Sequence, residues 1–243
     1  MLALYRKELS AFFSSLTGYV AILVFLGANG IFMWIIPGHN NVLDNGYAGL
    51  EPFFIIAPWI FMFLIPAITM RLFSEEKKNG TIELLLTRPI SDMSVVLSKY
   101  LSALTIVGIA ILPTFIYFIS VYLLGNPIGN IDIGGTWGSY IGLFFLAIVY
   151  VAIGVFCSSF FDNQIVAFII ALVFTFILYF GMDAFAMLFS LKKGEYFLQG
   201  LSISRHYKSM SRGVIDTRDM IYFISLTVIL IMSTKLKLQT RKW

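Results

Sequence analysis

Six stretches of this chain are apolar and free of charge: Tyr19–Ile36, Pro52–Met70, Tyr100–Leu124, Trp137–Phe161, Asn163–Met182 and Met220–Thr234. Uncharged runs of about 18 or more apolar residues read as membrane-crossing helices. The last run is the shortest, and Lys235 and Lys237 lengthen it by carrying their charges to the interface on apolar stems. In hydrocarbon every backbone N–H and C=O must be paired within the protein, which leaves helices or a closed barrel. The strict alternation of a barrel strand is absent. The chain is therefore expected to be all-α, with spans over about 17–36, 52–73, 98–124, 137–161, 163–190 and 219–236.

Composition agrees. Charged residues make up 12% of the chain and hydrophobic ones 59%, against roughly a quarter charged in soluble domains. Mean hydropathy is +0.88. A cleaved leader is not expected: Glu8 follows Arg6 and Lys7, and no small-residue cleavage site closes the first run. Leu2, Tyr5, Leu9, Phe12, Phe13 and Leu16 fall near helical spacing, which suggests an amphipathic interfacial helix over 1–16.

Six spans put both termini on one side. With the N-terminus inside, eleven of the seventeen Lys and Arg residues lie inside, and the outer loops Pro37–Glu51 and Gly125–Thr136 hold none. One segment runs against this pattern: 191–218, expected outside, carries Lys192, Lys193, Arg205, Lys208, Arg212 and Arg218. The net charge of +4 is explained by basic residues flanking helices at an anionic leaflet, and no basic-aromatic stripe calls for a nucleic-acid partner. His39 and His206 lack metal-ligand spacing. Cys157 reads as a small apolar filler, and Asp183 as a solvated or capped acid at a span end.

Within the spans, Pro58, Pro66 and Pro113 predict kinks. Gly138 and Gly142, and likewise Ala167 and Ala171, form small ridges for close helix approach. Ser158–Asp162 predicts a tight turn between spans four and five.

The insert 74–92 is unlike the rest, holding Glu75, Glu76, Lys77, Lys78, Glu83, Arg88 and Asp92. Arg71–Lys78 should continue span two beyond the membrane. Asn79-Gly80 should end that helix with a left-handed residue. Thr81 is expected to N-cap a short new helix, with Glu83 in its first turn. Leu84, Leu85 and Leu86 make that helix apolar, Pro89 stops it, and Ser91-Asp92 cap the next one. Such a helix presses either on lipid or on a partner protein.

Glu75, Lys77, Gly80, Thr81, Glu83, Leu85, Leu86 and Pro89, in this order, resemble the coupling segment of ABC-2 type permeases, the membrane subunits of a class of ATP-binding-cassette exporters. The resemblance covers nearly the whole chain, including 211–219, and is greatest to gliding-motility permeases of the Bacteroidota. It implies a single transmembrane domain without catalytic activity in a bacterial inner membrane, with both termini cytoplasmic. It also implies an ATPase on another chain (GldA-like), which would hold ATP and Mg; this chain would bind no cofactor and no metal. The chain itself has no phosphate-binding loop of the G-x-x-x-x-G-K-[ST] type. A second permease or membrane subunit (GldG-like), or a second copy, is implied as well. The docking residues implied are Glu75, Lys77, Lys78, Gly80, Thr81, Glu83, Leu84, Leu85, Leu86, Arg88 and Pro89. The competing reading is a membrane scaffold of a motility or secretion machine that moves no cargo.

Overall fold

A computed structural model describes residues 1–86, 90–188 and 200–240. It is helical throughout, with no strand among the described residues. The helices are α1 (Leu2–Phe13), α2 (Leu16–Trp34), α3 (Glu51–Thr69), α4 (Arg71–Lys78), α5 (Thr81–Leu86), α6 (Asp92–Ile111), α7 (Phe115–Leu124), α8 (Ile133–Ser158), α9 (Gln164–Phe176), α10 (Met182–Leu188), α11 (Ile203–Met210) and α12 (Thr217–Gln239). Among the described residues, five helical stretches are long and apolar enough to cross a membrane: 51–78, 92–124, 133–158, 164–186 and 217–239. A sixth is counted when α1 and α2, which meet at a bend of 67°, are taken together as one span; α1 packs on α6. Leu4 and Phe12 face inward, and the Tyr5 hydroxyl lies 2.9 Å from Thr105 Oγ1.

α3 and α8 form the centre. In their most apolar stretches 67% and 72% of residues are buried, against 22% along the α9 span and 33% along α12. The two central helices run parallel: Phe54 and Tyr140 meet at one end, and Thr69 meets Gly154 near the other. Around them α2, α7, α9 and α12 turn Leu23, Ile116, Ile169 and Ile229 outward. Exposed aliphatic faces on this scale suit lipid as the surrounding solvent. The chain is a multi-pass membrane protein.

Local chemistry explains the breaks. Pro58 and Pro66 lie inside α3 without ending it; the interruption comes at Met70. There the Ser158 hydroxyl of α8 accepts from Phe73 N at 3.0 Å and donates to Met70 O at 2.9 Å. A side chain inserted into the backbone ladder is a known cause of such steps. Pro113 does interrupt span three, through a single 3₁₀ turn at Leu112–Thr114. Ser91 caps α6 as expected, its hydroxyl accepting from Ser94 N.

The G-x-x-x-G ridge receives part of the cation-rich segment. The Gly213 backbone lies against Gly138, and Met210 against Gly142. Ile203, Tyr207 and Met210 form the buried face of α11, while Arg205, Lys208, Arg212 and Arg218 are exposed. Arg205 and Lys208 thus sit on the solvent side of an amphipathic helix, with Arg212 in the loop after it and Arg218 at the start of α12, at the bundle end where α3 and α8 begin. Lys192, Lys193 and Glu195 lie outside the described residues. Tyr207 anchors α11 by donating to Phe54 O at 2.8 Å. Tyr207→Phe should lower stability by about 1 kcal/mol, read from unfolding in mixed detergent micelles; no change would mean that packing alone holds α11.

Candidate functional site

At the bundle end opposite α11, α4 and α5 form an elbow. Asn79 N and Gly80 N bond back to Glu75 O and Lys77 O, and Gly80 takes φ +67°, the left-handed stop expected from its sequence. Thr81 is the first residue of α5, and its hydroxyl donates to Glu76 O at 3.3 Å. It secures the end of α4, a carbonyl-rich terminus that needs donors.

The elbow has an anchored and a solvent side. Ile82 is buried, whereas Glu75, Lys78, Gly80, Thr81 and Glu83 are exposed. The Lys77 head group reaches the Asp162 carboxylate of the α8–α9 turn at 3.7 Å, and its side chain is only 9% exposed. Lys77 therefore seats the elbow on its neighbour more than it faces outward. The side chains of Leu84, Leu85 and Leu86, and residues Arg88 and Pro89, lie outside what the structure describes.

Beneath the elbow lies a group of charges. Lys99 of α6 is completely buried. Its Nζ lies 3.0 Å from Glu8 Oε1 of α1 and 2.9 Å from Glu76 Oε2 of α4, and it donates to Leu72 O. Two of its three donors are used, on Glu8 Oε1 and Leu72 O; Glu76 Oε2 stands beside it as a counter-charge and accepts no hydrogen bond among the described residues. Lys7 Nζ completes the group at 3.1 Å from Glu76 Oε1. Burial pulls the Lys7 pKa down, but Glu76 and Glu8 outweigh it and the net shift is upward. The stabilisation from this pairing is therefore complete below about pH 10.4 and is lost only as pH rises through the higher folded value. A cleft of about 400 Å³ opens beside the group, bounded by Lys7, Glu8, Phe12, Arg71 and Glu75. The Arg71 guanidinium lies over the Phe12 ring, 4.8 Å from its centroid.

Of this group, the reading of docking residues from sequence took up none. Signals were nevertheless present. Helical spacing places Glu8 on the same face as Leu4 and Phe12, and Glu76 four residues after Leu72. A lysine within a span needs a counter-charge. What the sequence lacks is any mark of which acid supplies it.

The chain matches the family described as ABC-2 family transporter protein over residues 3–238. It belongs to that family. Comparison with curated proteins gave no match. The family match spans α1, all the membrane-crossing helices and the elbow, so each feature above is part of an ABC-2 transporter subunit.

Proposed function

We propose that this chain is the non-catalytic permease subunit of an ATP-binding-cassette exporter, and that the α4–α5 elbow is the docking point for a separate ATPase subunit. The observation that carries this reading is the elbow: a helix–turn–helix at the end of span two, with Ile82 buried and Glu75, Lys78, Thr81 and Glu83 turned to solvent. ATP and Mg belong to the partner, and this chain holds no cofactor. ATP places the elbow on the cytoplasmic side of a bacterial inner membrane. Both termini are then cytoplasmic and 191–218 is extracytoplasmic, with the α11 cations facing outward in water. Leu84, Leu85, Leu86, Arg88 and Pro89 extend the docking surface by the resemblance described above. Membrane lipid surrounds the exposed helix faces.

The finer reading is a GldF-like permease of a gliding-motility exporter, with a GldA-like ATPase and either a GldG-like second membrane subunit or a second copy of this chain. An apolar groove of about 650 Å³ between α2, α3 and α9, lined by Val20, Val24, Ile60, Phe63 and Phe168, offers that second subunit a seat.

Because Lys77 is taken up by Asp162, the exposed pair Lys78 and Glu83 is the sharper target. Lys78→Glu with Glu83→Lys should reduce ATPase-subunit recovery from native membranes about tenfold, which corresponds to about 1.4 kcal/mol. Membrane insertion should be unchanged. Equal recovery from the variant and the parent would overturn the docking assignment.

A further inference from the structure

We propose that Lys99 is a positioning residue that pins α1, α4 and the elbow end of α6 into one rigid unit. A force on the elbow then moves spans one and three together. The inference rests on the reading of the elbow as a docking point and adds the route by which its motion reaches the spans.

Three observations carry it. The Lys99 ammonium is fully buried and held from two other helices: it donates to Leu72 O of α4 and to Glu8 of α1, and the Glu76 carboxylate of α4 lies 2.9 Å away as a counter-charge. Separating α1 or α4 from α6 would take one of two carboxylates away from the desolvated ammonium, and removing a partner is the costly way to disturb a buried ion pair. Lys7 balances the count, two cations against two carboxylates, so the group is neutral as a whole.

The elbow's other attachments differ in kind. Its backbone runs on from span two through Met70, which keeps helical dihedrals; there the Ser158 hydroxyl of α8 bonds Phe73 N and Met70 O and makes a local step. The Lys77–Asp162 pair is 3.7 Å long with Asp162 78% exposed, and pairs of this kind hold weakly. The strongest electrostatic tie of α4 is therefore to α6 and α1 rather than to the span it extends. α1 leads directly into α2 at the 67° bend, so spans one and three are both attached to the pin.

Spin labels at Leu2 and Asn79, both exposed, report the α1–α4 distance in a Cys157→Ala background, which removes the single native thiol. The parent should give one narrow distance distribution, unchanged when its complex with the native ATPase subunit is trapped with ATP and vanadate. Glu8→Gln removes the charge of the α1 partner, and Lys99→Met removes the pin. Each should broaden the distribution beyond the spread of the labels themselves and make it shift on trapping, where the parent's does not. Should Lys99→Met fail to fold, Glu8→Gln, which alters one acceptor on a peripheral helix, decides alone. Distributions as narrow as the parent's in the variants, or an α1–α4 distance that shifts in the parent on trapping, would overturn the proposal. If no ATPase subunit co-purifies with the unlabelled parent, the docking reading fails instead. The widths measured on the isolated chain then accept or reject the pin by themselves.

Discussion

Lys99→Met should destabilise the folded chain by about 3–5 kcal/mol, the usual effect of deleting one partner of a buried ion pair. The parent keeps Glu8 and Glu76, each with only 13% of its side chain exposed, around a completely buried ammonium. Without that ammonium the two carboxylates face each other with only Lys7, whose side chain is 60% exposed, left to balance them. Unfolding in mixed detergent micelles reads the loss. Replacing the buried charges together tells charge from shape: Lys99→Met combined with Glu8→Gln and Glu76→Gln leaves only Lys7 charged, with its side chain 60% exposed to water, and should recover most of the stability. A single variant as stable as the parent would mean that the buried charges add nothing to the elbow end.

The second large effect is expected at the far end. Gly213→Ala meets two obstacles at once. Gly213 adopts φ +81°, a region that costs a residue with a Cβ about 1–2 kcal/mol. Its Cβ would also overlap Gly135 Cα, a backbone atom with nowhere to move, and overpacking of this kind costs about 1–3 kcal/mol. The sum is about 3 kcal/mol. Gly46→Ala is the control, since Gly46 has φ +71° but nothing within 4 Å of the added carbon. It should show the conformational cost alone, in the same unfolding titration. If both variants lose the same amount, close approach to α8 is not what holds 211–213 in place.

These two sites divide along the line between local and distant information. Apolar run length is a property of consecutive residues, so the all-α membrane fold was legible. So were the Asn79-Gly80 stop and the Ser91 cap, each set by neighbours within one or two turns. The face of α1 was only partly so: Phe12 is buried as expected, but Leu2 and Leu16 are exposed and Leu4, outside the expected set, is buried. The G-x-x-x-G ridge announced a close approach but not its occupant, and the occupant is the loop after α11 rather than another membrane-crossing helix. The bond from the Thr81 hydroxyl back to Glu76 O was not legible, because it depends on how α5 folds against the end of α4. The prolines of span two pointed to kinks, yet the break falls at Met70, where a serine from α8 arrives.

By itself the sequence determined the solvent and the element type: long uncharged runs require a bilayer, and a bilayer requires helices. It also marked 74–92 as the one charged insert between spans two and three. Only the tertiary structure decided which charges there face outward and which are consumed inside. Glu8, Glu76 and Lys99 lie far apart along the chain, and nothing in the spacing of one specifies the others. Hydropathy adds residue by residue, whereas burying a charge depends on whether a partner from a distant helix is within about 3 Å. That pairing exists only once the helices have packed.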